Sequence, residues 1–369
     1  MGLIKDKIYY TYEDLTIMPN IISGIEHRSE CIPLDDDGML PIFTAPMNTV
    51  VDEKNFDLFE KEMIHAILPR TVDISLRVEN STKGRWSAYS LTEFENVFCD
   101  ETNVLNQGNG IKALIDIANG HMKKSIDLVR AAKNIYGENI KIMVGNIANP
   151  RTYEEYTRAG VDFIRAGIGA GNGCLSTSNV AVHTPMASLI DEIVSVRKEI
   201  EGMYPKLPKI IADGGIRNYR DIIKALALGA DYVMIGSVFA RMLESSADKC
   251  AVLNGIEVGL GDIDDLHLEN DEWYGNVRGK KVRFDKIVAT FYGMASREGQ
   301  IALNGAKTKT SEGLLKKLDV KYTMHGWSMN IMDYLRSAMS YVGVKTLEDF
   351  KKYTNVIINS SNSVAAVNK

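Results

Sequence analysis

The chain has 369 residues, 45% of them hydrophobic and 25% charged, with a formal net charge of −5. That balance suits a globular protein with a large core, and with no local Lys/Arg block it argues against a nucleic-acid partner. Four cysteines without a CxxC pair argue against a disulfide framework or a zinc module. No apolar run is long enough to span a membrane. The opening MGLIKDKIYY has no apolar core of the signal-peptide kind, so a cytoplasmic protein is expected.

Eight short apolar runs recur along the chain: PIFTAPM (41–47), HAIL (65–68), NVFC (96–99), ALIDIA (113–118), KIMVGNI (141–147), DFIRAGI (162–168), KIIADGG (209–215) and DYVMIGSV (231–238). Continuous Val/Ile-rich runs of this length read as buried parallel strands. Between them lie amphipathic segments such as KKSIDLVRAAKNIYG, PRTYEEYTRAG and NYRDIIKALALGA, each closing near a glycine. Eight alternating units predict an α/β fold of the (β/α)8 barrel type, with an open doubly wound sheet as the alternative. From 243 to 325 follows a long excursion. It holds the acidic stretch GDIDDLHLENDE (261–272), a hairpin-like EWYGNVRGKKVRF and the tract FYGMASREGQIALNGAKTKTSEG. Such a segment over a barrel mouth reads as a lid or flap.

A barrel places its chemistry at the C-terminal ends of the strands. Those ends are Met47-Asn48, Arg70, Asp116 with Asn119, Gly145-Asn146, Gly167 to Cys174, Asp213 to Gly215, and Gly236-Ser237. The loop GIGAGNGC (167–174) is neither a dinucleotide fingerprint nor a Walker A loop. Its glycines can bring backbone close to a ligand or ion and carry a thiol toward a substrate. Asp213 can accept two ribose hydroxyls, and the loops after the seventh and eighth strands are the usual phosphate site of such barrels. A phosphorylated small molecule, a nucleotide, is the expected substrate. The histidines at 65, 121, 183 and 325 show no metal-binding spacing, and Trp273 and Trp327 read as packing residues.

These segments resemble the IMP dehydrogenase / GMP reductase family over nearly the whole chain. The carriers are LPIFTAPMNTV, GIGAGNGC, IIADGGIRNYRDIIKALALGADYVMIGSVFA, YGMAS and SEG, in the family's order. The resemblance implies that Cys174 attacks C2 of a purine nucleotide monophosphate, with Glu312 and Ser176 assisting proton transfer. It implies that Met47, Asp213, Gly215, Gly236, Ser237, Tyr292, Gly293 and Met294 hold the nucleotide. Asp116, Asn119, Gly167 and Gly169 would line the side of an NADPH or NAD cofactor. Backbone carbonyls at Gly169, Gly171 and Cys174 would take a potassium ion, and the assembly would be a homotetramer.

Only residues 71–95 separate ILPR from NVFC, too few for the regulatory CBS insert that dehydrogenases usually carry there, so a single catalytic domain over 1–369 is expected. The tract between Ser296 and Ser311 has no Arg-Tyr pair of the kind dehydrogenases use to activate water, and DIANGH (116–121) looks like the reductase form. The resemblance therefore points to reductive deamination of GMP to IMP. An IMP dehydrogenase without the insert, a non-catalytic nucleotide sensor and an enzyme of a modified purine stand as alternatives. Departures from the family pattern are Ser176 for Thr, Ala170 for Pro, Asn48 for Asp, Met186 for Gln, and Thr177 with VAVH after the loop.

Overall fold

The computed structural model describes residues 7–102, 104–105, 110–171, 175–305 and 310–360. Eight parallel strands form one sheet: β1 (Ile42–Thr44), β2 (Ile67–Leu68), β3 (Trp86–Tyr89), β4 (Ile111–Asp116), β5 (Ile140–Ile147), β6 (Phe163–Ala166), β7 (Lys209–Asp213) and β8 (Tyr232–Ile235). The order is β1-β8-β7-β6-β5-β4-β3-β2. A parallel bridge from Phe43 to His65 brings its two ends together, with the Thr44 amide donating to the His65 carbonyl at 2.9 Å. The expected (β/α)8 barrel is thereby borne out. Amphipathic helices sit between the strands, among them α2 (Ile74–Thr82), α4 (Lys123–Tyr136), α5 (Thr152–Ala159), α7 (Met186–Glu199) and α8 (Tyr219–Ala227).

Inside the barrel the lower layer is aromatic. Phe43, Trp86, Phe163 and Tyr232 lie at or next to the first residues of their strands. Phe43 and Trp86 meet edge to face at 6.1 Å, Trp86 and Phe163 at 5.1 Å. Filling this end with large rings closes the barrel from below, and each buried ring contributes about 1.5–3 kcal/mol. The open end of the strands is left for polar side chains.

One strand of the eight differs from expectation. NVFC (96–99) is not a strand: it ends helix α3 (Leu91–Phe98), and β3 is the WSAY segment before it. The helix begins at a capping box. The Ser90 hydroxyl accepts from the Glu93 amide at 3.2 Å, and the Glu93 carboxylate accepts from the Ser90 amide at 2.7 Å. Phe94 and Phe98, four apart, then bury one helix face.

The excursion is a small β structure with its own core. Strands β9 (Lys249–Leu253), β10 (Ile256–Gly259), β14 (Lys286–Tyr292) and β15 (Leu315–Asp319) form one antiparallel sheet; β11 (Asp264–Glu269), β12 (Glu272–Val277) and β13 (Lys280–Phe284) form another. Both turns of the three-stranded sheet are two-residue loops in the left-handed region, Asn270-Asp271 (φ 50° and 63°) and Arg278-Gly279 (φ 51° and 75°), as tight hairpins require. The expected hairpin is thus present as β12 and β13, and the acidic stretch supplies the strand before it, β11. Trp273, Phe284, Ile263 and Ile287 are buried between the sheets, and the Trp273 indole donates to the Val320 carbonyl at 3.1 Å. Trp327 is buried too.

Candidate active site

The polar end of the barrel is organised by Arg165 on β6. Its guanidinium is buried between two carboxylates: Nη1 lies 2.7 Å from Asp116 Oδ1, and Nη2 lies 2.9 Å from Asp213 Oδ2. Burial by itself would pull its pKa down, but the two carboxylates outweigh that and raise it. Asn146, at the end of β5, donates from one amide nitrogen to Asp213 Oδ2 at 2.7 Å and to the Gly167 carbonyl at 2.6 Å. Four strand ends are thus tied together. Gly145 makes room for this: a Cβ there would stand 2.5 Å from the Cβ of Arg165.

Around this centre the glycine loop turns away from β6. Gly167 has φ +135°, and a Cβ on it would meet the Asp213 carbonyl oxygen at 2.0 Å, so the β6 and β7 ends approach as closely as two backbones can. The Gly215 amide donates to the Ala170 carbonyl at 3.0 Å. The Thr177 hydroxyl donates to the Gly169 carbonyl at 2.9 Å, an oxygen expected to face potassium, so a cation there would share it. His183 Nδ1 lies 2.8 Å from the Ile168 carbonyl. Cys174, with Asn172 and Gly173, lies outside the described residues. Gly171 is exposed at the edge of the described loop, and Ser176 begins the short helix Ser176–Val180.

The excursion reaches back to this loop. The Leu175 amide donates to the Glu312 carbonyl at 2.7 Å, and the Glu312 amide donates to the Ala295 carbonyl at 3.0 Å. The Glu312 backbone is therefore bonded directly to Leu175, the residue that follows Cys174 in the chain. The Gly293–Ser296 turn and the Ser311–Gly313 turn are in tight contact: a Cβ on Gly313 would lie 2.7 Å from the Ser296 amide nitrogen. Ser296 caps helix α9 (Arg297–Asn304) by accepting from the Gly299 amide at 3.0 Å.

On the opposite lip, Gly236 and Ser237 follow β8. Met47 Sδ would lie 3.1 Å from a Cβ on Gly236, and Asn48 donates to the Tyr292 hydroxyl at 2.8 Å. These contacts bring Met47, Gly236 and Tyr292 into one wall. Met294 and Gly293 continue it, half-buried. Asp116 closes the other side, where Arg70 Nη1 is 3.5 Å from the Asp116 carbonyl. Asn119 is exposed there, and its side-chain oxygen accepts from the His121 amide at 3.1 Å.

Sequence reasoning missed three contributors: Arg165, the bridging role of Asn146, and His183. The signal for Arg165 was present, because an arginine inside an otherwise apolar strand must find carboxylates. Asn146 and His183 carry no local signal, since their partners lie on other elements.

Three cysteines are described, and all have thiols shifted toward the protonated form. Burial raises Cys99 to about 11, with Glu95 adding to it; burial likewise raises Cys31 and Cys250. None is primed as a nucleophile.

The chain is similar to known proteins over most of its length. The profile described as IMP dehydrogenase / GMP reductase domain matches residues 99–368. The chain is 26% identical to the GMP reductase of Staphylococcus carnosus over 95% of its own length and 97% of that protein. It is 27% identical to the GMP reductase of Streptococcus agalactiae over 97% and 98% of the two chains. Against the inosine-5'-monophosphate dehydrogenase of Chlorobaculum parvum it is 28% identical, covering 66% of this chain and 44% of that one.

Proposed function

The chain belongs to the IMP dehydrogenase / GMP reductase family, and from that premise we propose that it is a GMP reductase, converting GMP to IMP and ammonia at the expense of NADPH. The observation that carries this reading is the tie from Glu312 to Leu175. It joins the Glu312 backbone to the residue that follows Cys174, so a residue carrying a carboxylate adjoins the loop where a departing amine needs a proton. End-to-end likeness to bacterial GMP reductases supports the same choice.

In this reading the Cys174 thiolate adds to C2 of GMP. The C2–N bond then breaks, and ammonia leaves with a proton relayed through Glu312 and Ser176. When bound, the dinucleotide supplies the hydride that reduces C2. Expulsion of the thiolate then gives IMP. Asp213 receives the ribose hydroxyls, and it reaches them pre-oriented because Arg165 and Asn146 hold one of its oxygens. Gly215, Gly236, Ser237 and Tyr292 take the phosphate, and Met47, Gly293 and Met294 take the base.

The opposite lip fits a dinucleotide. Asn119 offers an exposed amide beside Asp116, and the Arg70 guanidinium, whose Nε faces the Glu93 carboxylate at 3.8 Å, lies nearby. Carboxamide and phosphate groups pair with such donors. Gly167 and Gly169 lie between the two halves. No step here uses a potassium ion at Gly169, Gly171 and Cys174. The catalytic unit is one barrel with the 243–325 excursion as its flap: between β2 and β3 there is helix α2 and no separate domain. A cytoplasmic homotetramer completes the reading; among the described residues no helix is long and apolar enough to cross a membrane.

The test is nicotinamide absorbance in two reactions with potassium present, GMP with NADPH and IMP with NAD. Signal loss in the first is expected. A gain in the second alone would make the chain a dehydrogenase, and silence in both with tight GMP binding would make it a sensor. Cys174→Ala should abolish turnover and leave GMP binding intact.

A further inference from the structure

The amide of Asn48 sits on the wall of the nucleotide site, and nothing above assigns it a role. Its nitrogen donates to the Tyr292 hydroxyl at 2.8 Å, while its side-chain oxygen is buried with no hydrogen-bond partner. The residue is held from behind, because the Ser246 hydroxyl donates to the Asn48 carbonyl at 3.0 Å. A buried, unpaired amide oxygen works against stability, so packing does not explain an asparagine here. The reverse amide orientation would leave both N–H groups of a buried NH2 unpaired, against the oxygen and one N–H in the present one.

A tyrosine hydroxyl has one proton and can accept as well as donate. With an amide N–H occupying an acceptor position, the Tyr292 proton must point elsewhere, and among the described residues the Asn48 amide is the hydroxyl's one hydrogen-bond partner. We infer that Asn48 is a positioning residue that fixes the polarity of Tyr292, so that the hydroxyl donates its one proton to the phosphate of the bound nucleotide. This rests on the reading of Tyr292 as part of the phosphate site. A carboxylate at 48 would do the opposite: it would accept the Tyr292 proton and turn the hydroxyl's lone pairs toward the phosphate oxygens.

The test is a double-mutant cycle, Asn48→Asp with Tyr292→Phe, titrated calorimetrically with GMP and with guanosine at pH 7.5. Tyr292→Phe should weaken GMP binding about tenfold in the parent and less than about twofold in the Asn48→Asp background, where the proton is already taken. Repulsion between the introduced carboxylate and phosphate is common to both Asn48→Asp proteins and cancels in that comparison. Guanosine binding should stay within about twofold throughout. Equal effects of Tyr292→Phe in both backgrounds, or none in the parent, would overturn the inference while leaving the GMP reading in place. If the parent binds neither GMP nor IMP, the functional reading itself fails and this inference goes with it. Should Asn48→Asp not fold, Asn48→Leu replaces it. That variant frees the hydroxyl to rotate and should weaken GMP about threefold; parental affinity in it would refute the role.

Discussion

Replacing Arg165 with methionine would remove the one cation between Asp116 and Asp213. The methionine fills much of the same volume, so the loss is electrostatic rather than a cavity. Both carboxylates are mostly buried, with side-chain exposures of 18% and 16%. Asp213 keeps the Asn146 amide at 2.7 Å, which satisfies one oxygen without neutralising the charge. Removing one partner of a buried ion pair costs about 3–5 kcal/mol, and in a chain of this size that corresponds to about 4–6 °C in Tm. The sign with pH is fixed. Two buried carboxylates facing each other without a cation are relieved by taking up protons, so the folded variant binds more protons than the folded parent. The deficit should therefore shrink as pH falls from 7.5 toward 4.5. Calorimetric melting of parent and Arg165→Met at four pH values is the assay. A Tm difference under about 2 °C, or one that stays flat with pH, would show that the two carboxylates do not depend on Arg165.

Gly167→Ala should abolish folding or activity, since its methyl would fall 2.0 Å from a backbone oxygen that cannot move aside; parental circular dichroism and turnover would contradict this. Gly236→Ala crowds the flexible end of Met47 at 3.1 Å and otherwise makes an ordinary 3.5 Å contact with the Ala45 Cβ, so it should fold normally while raising KM for GMP, with kcat changing less. Iodoacetamide at pH 7 should label Cys174 ahead of Cys31, Cys99 and Cys250, whose thiols are all held protonated; peptide mass spectrometry reads the order, and equal labelling would refute it. Burial lowers Lys249 to about 8 against the pull of Glu244, Asp248 and Asp52. The folded state therefore binds fewer protons than the unfolded chain between pH 8 and 10.5, and stability from this group rises across that window by about 3 kcal/mol. In Lys249→Met that rise should vanish, so the variant's Tm relative to parent should fall between pH 7.5 and pH 10; a constant difference would refute the linkage.

Seven of the eight barrel strands could be read from the sequence because each is a continuous apolar run bounded by a glycine or a polar turn. The third was missed for a physical reason. WSAY is short and carries Ser87 in its middle, whose hydroxyl is satisfied by the Asn80 amide at 3.0 Å, so the strand lacks the apolar continuity that marks its neighbours. NVFC has that continuity, but Val97 and Phe98 belong to a helix whose start was written in Ser90 and Glu93. A capping box outranks a four-residue apolar run as evidence, because it satisfies helix-end donors that nothing else nearby can reach.

The candidate site divides along the same line. The half proposed to take the phosphate is largely backbone geometry: glycines that permit close approach are visible as glycines, and the segments around Gly215 and Gly236 could be picked out one at a time. The half nearest the base and ribose depends on which side chains meet across strands. Arg165 does its work through residues 49 positions before it and 48 after it. No local window contains such pairs. The division also bears on substrate identity. If Asp213 owes its orientation to Arg165 and Asn146, then substitutions at those two positions should change affinity for any ribonucleotide alike. Substitutions around the Leu175–Glu312 tie should instead separate GMP from IMP, since only there does the chemistry of the C2 substituent come into play.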